Sequence, residues 1–150
     1  MFRTELEPAK SELKISIGNE VATIGSCFSD AIGNRLHHYK FSTLVNPFGT
    51  TYNPQSIHKL LHTAADNNAV PADSFLQTGD VHANYCCHSS FSSLSRRPLE
   101  QAIQQSVNQT HDFLSNARLL IITYGTAWVY ERKDSGEVVA NCHKPVATLF

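Results

Sequence analysis

Short apolar runs alternate along this chain with segments of helical periodicity. Val21-Ala22-Thr23-Ile24 predicts a buried strand, stopped by Gly25-Ser26. From Ser29 to about Tyr39 the apolar positions Ala31, Ile32, Leu36 and Tyr39 recur at helical spacing, with Ser29 or Asp30 as the cap. Phe41 to Val45 reads as a second strand, followed by a loop of breakers from Asn46 to Pro54. A second helix fits Pro54 to about Asp66, placing Ile57, Leu60, Leu61 and Ala64 on one face. Residues 73–95 carry weak signals: two short strands, around Phe75 and around His82 to Cys86, then a serine-rich loop. Pro98 to Asn116 predicts the clearest helix, with Ile103, Val107 and Leu114 inward. Leu119 to Tyr124 predicts a central strand buried on both faces. Asp134-Ser135-Gly136, between Ala127–Arg132 and Glu137–Cys142, predicts a hairpin.

This order of elements is that of a layered α/β fold with parallel crossovers. Such sheets bind ligands beyond the carboxyl ends of their strands. Three segments follow predicted strands and would converge there: Gly25-Ser26-Cys27, Asn46 to Thr50, and Tyr124 to Trp128.

Composition narrows the function classes. With 150 residues, 41% hydrophobic and 17% charged, the chain suits one globular domain over residues 1–150 and not a disordered segment. Its net charge of -1 leaves no basic surplus for phosphates, so no nucleic-acid partner is expected. Apolar runs such as Leu119 to Ile122 are far shorter than the ~18 residues of a bilayer span. The mixed-charge start is unlike a secretory signal. A soluble, cytoplasmic domain with reduced cysteines is the expectation. The adjacent pair Cys86-Cys87 suits neither a CxxC pair nor an ordinary zinc half-site. A metal site from Cys86, His88, Cys142 and His143 is the weakest reading; no metal and no cofactor are expected.

Ser26 is the first candidate for chemistry. Between a buried strand and a helix, its hydroxyl is exposed beside amides at a helix N-terminus, where a developing oxyanion is favoured. The plainer reading is that Gly25 turns and Ser26 only caps. Cys27 is the competing nucleophile, but one residue past the turn it is expected to pack into the core. Gly49 offers a bare backbone N–H to a substrate oxygen, or simply a turn of positive φ. Asn53 reads as the residue that opens the second helix. Of the eight histidines, His58 and His62 lie on a solvated helical face, and His37 and His38 suit a helix C-terminus. His143, after Asn141-Cys142, is the best placed of the remainder, yet none has a spacing that marks it as the base.

Gly25-Ser26-Cys27-Phe28-Ser29 resembles the signature of the GSCFA-domain family, with Ser29 in place of the final alanine. Val45 to Gly49 with Tyr52-Asn53-Pro54 resembles its second block. Thr123 to Tyr130 with Gly136 to Lys144 resembles its third, and Phe2-Arg3-Thr4-Glu5 its opening. That family is similar to SGNH (GDSL-like) hydrolases, which implies a flavodoxin-like three-layer α/β/α fold with a mostly parallel sheet, here cut short at the C-terminus. Position by position, the resemblance implies Ser26 as nucleophile and its N–H as an oxyanion donor. Gly49 would be a second donor, with Asn46 lining the site. Gly125 matches the third-block glycine, while Ala127 stands where SGNH enzymes carry asparagine. Asn141 or His143 would have to substitute. The SGNH Asp-x-x-His block has no counterpart before Phe150, so the base is expected to be missing from this chain.

Two functions follow as expectations. One is a serine esterase or acylhydrolase acting on a small-molecule or glycan ester. The other is a catalytically inactive module that binds a glycan or acyl ligand in the same place. The sequence leaves the oligomeric state open.

Overall fold

The computed structural model describes residues 5–7 and 9–140. Its centre is a parallel sheet of three strands in the order β2-β1-β6. β1 (Glu20–Gly25) pairs with β2 (Ser42–Val45) on one side and β6 (Leu119–Thr123) on the other. Parallel neighbours need crossovers. The helix α1 (Cys27–His38) connects β1 to β2, and α2 (Pro54–Ala65) and α3 (Arg96–Asn116) lie between β2 and β6.

Strand alternation assigns the helices to opposite faces. Thr23 donates its hydroxyl to the Ser29 carbonyl of α1 at 3.1 Å. Gly33 of α1 sits so close to the sheet that a Cβ there would lie 2.5 Å from Thr23 Oγ1. Ile24 points the other way, into a core with Ile57, Leu60 and Ala64 of α2 and Leu99, Ile103 and Val107 of α3. Ile57, Leu60 and Ala64 of α2 and Ile103 and Val107 of α3 lie on the faces predicted from the sequence, whereas the stripe predicted for α1 is not its buried face: Tyr39 is exposed, and the buried residues of α1 are Ser29 and Gly33. The architecture is mixed α/β, with helices on both sides of the small parallel sheet.

One prediction is corrected. The strand buried on both faces is β1, whose Val21 to Gly25 are all buried. β6 pairs only with β1 among the described residues, and its Leu120 is 36% exposed. No residue of β6 is fully buried, so this aliphatic run reports neither burial nor rank in the sheet, which depends on connections that periodicity does not encode.

The segment with weak signals folds as a small antiparallel sheet, β3 (Phe75–Thr78), β4 (Val81–Asn84) and β5 (Ser92–Ser93). Buried Asn84 docks it: its Nδ2 donates to Ser74 Oγ at 2.8 Å and its Oδ1 accepts from Cys86 N at 2.7 Å. Cys86 and Cys87 then enter the core. The predicted hairpin forms as β7 (Tyr130–Glu131) and β8 (Val138–Val139), turning through Gly136 at φ 70°. Arg132 ties it down, its guanidinium 4.8 Å from the centre of the Tyr85 ring and bonded to Asp134 at 2.6 Å. The carboxylate of Glu137 pairs with Lys59 of α2.

Candidate functional site

The carboxyl edge of the parallel sheet brings the three predicted segments together. β1 ends abruptly at Gly25, whose φ of 133° belongs to glycine and whose pro-Cβ direction runs into Thr123 O at 2.0 Å. A residue with a side chain cannot make this turn, and the helix starts at once. Ser26 is therefore the N-cap of α1, accepting the Phe28 N–H on its Oγ at 3.3 Å. The cap is the one that the plainer reading of Gly25-Ser26 offers and not Ser29 or Asp30, because the helix opens earlier than its apolar spacing suggests. Cys27 is exposed, contrary to its expected burial, while Ser29 faces the sheet fully buried.

Thr123, the last residue of β6, collects the polar groups of this turn. Its carbonyl and its hydroxyl both accept the Ser26 N–H, at 3.0 and 3.1 Å. The same hydroxyl lies 2.8 Å from Ser26 Oγ and 2.7 Å from Ser29 Oγ. Ser26 is only 7% exposed. Its hydroxyl is at the edge of the sheet but held, and its N–H is committed to Thr123.

The loop after β2 closes over the same turn. Asn46 leaves the strand at φ 39°, so the chain turns away before it can continue the ladder beside β1. Its side chain supplies the missing acceptor: Oδ1 takes the Gly25 N–H at 2.7 Å. Its Nδ2 donates to Asp30 Oδ1 at 2.7 Å, and Thr50 Oγ1 donates to Asp30 Oδ2 at 3.1 Å. Thr51 N donates to the Gly25 carbonyl at 2.9 Å. Gly49 does have positive φ, 74°, and its N–H donates to Asn46 O at 2.8 Å.

Gly125 belongs to the same cluster. Its N–H donates to Tyr52 O at 2.9 Å, and a Cβ on it would lie 2.5 Å from the Tyr52 ring and 3.4 Å from Ser26 Cβ. Next to it, Tyr124 Oη lies 2.6 Å from His58 Nε2. Phe28, Tyr52 and Tyr124 are 58%, 43% and 51% exposed, so aromatic surface borders the Ser26 turn. Asn141 and His143 lie outside the described residues.

The family model described as GSCFA family matches residues 20–150. The chain belongs to the GSCFA family. No curated protein and no solved structure matches it. The GSCFA match starts at Glu20, the first residue of β1, and takes in all three segments of the site. The opening Phe2 to Glu5, likened above to the family, precedes the matched span.

Within this GSCFA chain, the amides of Ser26, Gly49 and Gly125 each have a protein acceptor. Cys27, at the first position of α1, carries one of the N–H groups that a helix leaves without an internal acceptor. Among the described residues no histidine or carboxylate bonds Ser26 Oγ; its partners are Thr123 Oγ1 and Phe28 N. Among the described residues, no three histidine, cysteine, aspartate or glutamate side chains are grouped to hold a metal ion. Cys86 is packed in the core and His88 bonds Ser90, while Cys142 and His143 of that metal reading are outside the described residues. No described helix is long and apolar enough to cross a membrane.

Sequence reasoning overlooked Asp30, Thr123 and Tyr52. The sequence marks Asp30 only as a cap, and Thr123 only as part of an aliphatic strand and of the third block of the resemblance. Thr123 lies beside Ser26 because it pairs with Gly25 across the parallel ladder, a register that the sequence alone does not show.

Proposed function

We propose that this GSCFA chain is a serine esterase or acylhydrolase of SGNH type, built on a flavodoxin-like three-layer α/β/α domain, with Ser26 as nucleophile. The observation that carries the reading is the position of Ser26: its hydroxyl caps a helix directly after the central strand and lies beside Thr123 at the end of β6, while the loop after β2 holds the preceding Gly25. A helix N-terminus favours the negative charge that forms when a carbonyl is attacked. Ser26 Oγ would add to the ester carbonyl, pass its proton to a base and release the alcohol, leaving an acyl-enzyme for water to cleave. The base is a histidine supplied from outside residues 1–150. The Cys27 N–H is the readiest oxyanion donor, and Gly49 serves once its N–H exchanges Asn46 O for the substrate oxygen. Gly125 and Asn46 shape the floor, and Asn141 or His143 would take the role that Ala127 cannot. The aromatic border supports a glycan or small-molecule ester as substrate.

On a longer form that supplies the base, a fluorophosphonate probe is expected to label Ser26, identified by peptide mass, and to leave Ser26→Ala unlabelled. Equal labelling of Ser26→Ala would remove the proposal.

A second reading, a binding module without chemistry, is favoured by the same hydroxyl being bonded to Thr123 and by Ala127 in the asparagine position. It expects glycan or acyl-ligand affinity to survive Ser26→Ala, with no p-nitrophenyl acetate hydrolysis by either protein.

A further inference from the structure

We infer that Asp30 is a positioning residue of this site: its carboxylate clamps the loop after β2 onto the Ser26 turn by fixing the orientation of the Asn46 side-chain amide. The inference rests on the esterase reading only for what the clamp serves, and on geometry for its existence.

Both oxygens of Asp30 are used. Oδ1 accepts from Asn46 Nδ2 and Oδ2 from Thr50 Oγ1, so one carboxylate in the first turn of α1 grips two points of the loop, four residues apart. The grip also decides which way the Asn46 amide faces. A carboxylate accepts and cannot donate, so Nδ2 must face Asp30 and Oδ1 must face the Gly25 N–H. Turned over, the amide would set oxygen against carboxylate and NH2 against N–H. Gly25 is the residue on which Ser26 is mounted, and its carbonyl receives the loop again through Thr51 N. Charge-assisted bonds such as the one from Asn46 are about twice as strong as neutral ones. Asp30 does not touch the Ser26 hydroxyl, whose partners are Thr123 and Phe28. Its effect passes through Asn46 to the backbone that aims Ser26 and through Thr50 to the segment carrying Gly49.

The carboxylate's geometry, more than its charge, matters here. In Asp30→Asn the side-chain oxygen can still accept from Asn46, and its NH2 can donate to the Thr50 hydroxyl, which is free to reverse roles. In Asp30→Ala both arms are lost.

Two readouts on the full chain test this: amide exchange at Gly25 and Thr51, and the rate of fluorophosphonate labelling at Ser26. Asp30→Ala is expected to speed exchange at Gly25 and Thr51 at least about tenfold while leaving Val21 to Thr23 protected. It should slow labelling by about tenfold or more, since small displacements of a nucleophile carry costs of that order. Asp30→Asn should restore both to within about threefold of the parent, as the retained hydrogen bonds imply. Unchanged Gly25 exchange in Asp30→Ala overturns the clamp. Faster exchange with unchanged labelling makes Asp30 merely structural and also overturns the inference. A parent form that supplies the base and still takes no label at Ser26 defeats the esterase reading alone, and exchange then decides the clamp. If Asp30→Ala does not fold, Asn46→Gly, which keeps the positive φ and deletes the amide, is expected to give the same two changes.

Discussion

The hydroxyl of Thr123 at the end of β6 lies 2.8 Å from that of Ser26 at the head of α1. A threonine hydroxyl has one proton and two lone pairs. Since it already accepts the Ser26 N–H, it can donate to only one of Ser26 and Ser29 and accept from the other. The three side chains thus form one ordered hydroxyl chain.

Thr123→Val keeps the shape and removes that hub. Buried Ser29 Oγ loses its partner, and a buried unsatisfied hydroxyl costs about 1–3 kcal/mol. Urea denaturation should show a loss of that size. The double variant Thr123→Val, Ser29→Ala should be more stable than Thr123→Val, because both ends of the pair are then apolar. A simple sum of the two single losses would contradict the chain.

Gly25→Ala meets two obstacles at once: φ of 133° and a carbonyl oxygen 2.0 Å from the new Cβ. The obstruction is backbone, which cannot swing aside. A loss of about 3 kcal/mol or more is expected from strain and overpacking together, read as a large drop in melting temperature or no soluble protein. A substitution costing no more than an ordinary surface change would disprove this account of the turn.

Gly33→Ala tests the close approach of α1 to the sheet. The new methyl would meet Thr23 Oγ1 at 2.5 Å and the two Val45 methyls at 2.7 and 2.8 Å. Destabilisation of about 1–3 kcal/mol is expected. Val45→Ala in the same chain should recover part of it, since the obstacle there is side chain.

The Arg132 cluster gives a pH dependence. The hydrogen bond from the Arg132 guanidinium holds the Asp134 carboxyl below its ordinary pKa, with the charge of Arg132 adding to the effect. A depressed carboxylate contributes stability above its unfolded pKa and loses it as pH falls through the folded one. The stability gap between the parent and Arg132→Met should therefore narrow as pH is lowered from about 7 to about 2, across ordinary carboxylate titration. Lys59 behaves oppositely: burial works against its charge, yet the bond and charge of Glu137 raise its pKa above the ordinary lysine value. Its contribution is complete at neutral pH and is lost only on strong alkalinisation, so Lys59→Met should differ from the parent at neutrality and converge with it there.

The repeating parts of the fold were legible in the sequence. Ile57, Leu60 and Ala64, and Ile103 and Val107, sit at helical spacing and form the core. Gly25, Asn46, Gly49 and Gly125 were also legible as turn residues after strands, and they do gather at one sheet edge. What could not be read was how their polar groups are spent. The N–H of Gly49 goes to Asn46, and that of Ser26 to Thr123 across 97 positions of chain. The first is a local turn bond three residues apart, but the second is set by register between strands distant in sequence, which no local pattern records. The start of α1 was misplaced for a related reason. Ser26 and Cys27 carry no apolar periodicity, and the helix begins there through the turn at Gly25 and the cap that Ser26 supplies.

Position 46 is asked for two things that few side chains provide together. Glycine tolerates the backbone angle of 39° but brings no amide, and glutamine brings the amide on a stem one carbon too long. Aspartate would set a second carboxylate against Asp30. A saturation library at this codon, screened for the parent's rate of labelling at Ser26, should therefore return asparagine almost alone.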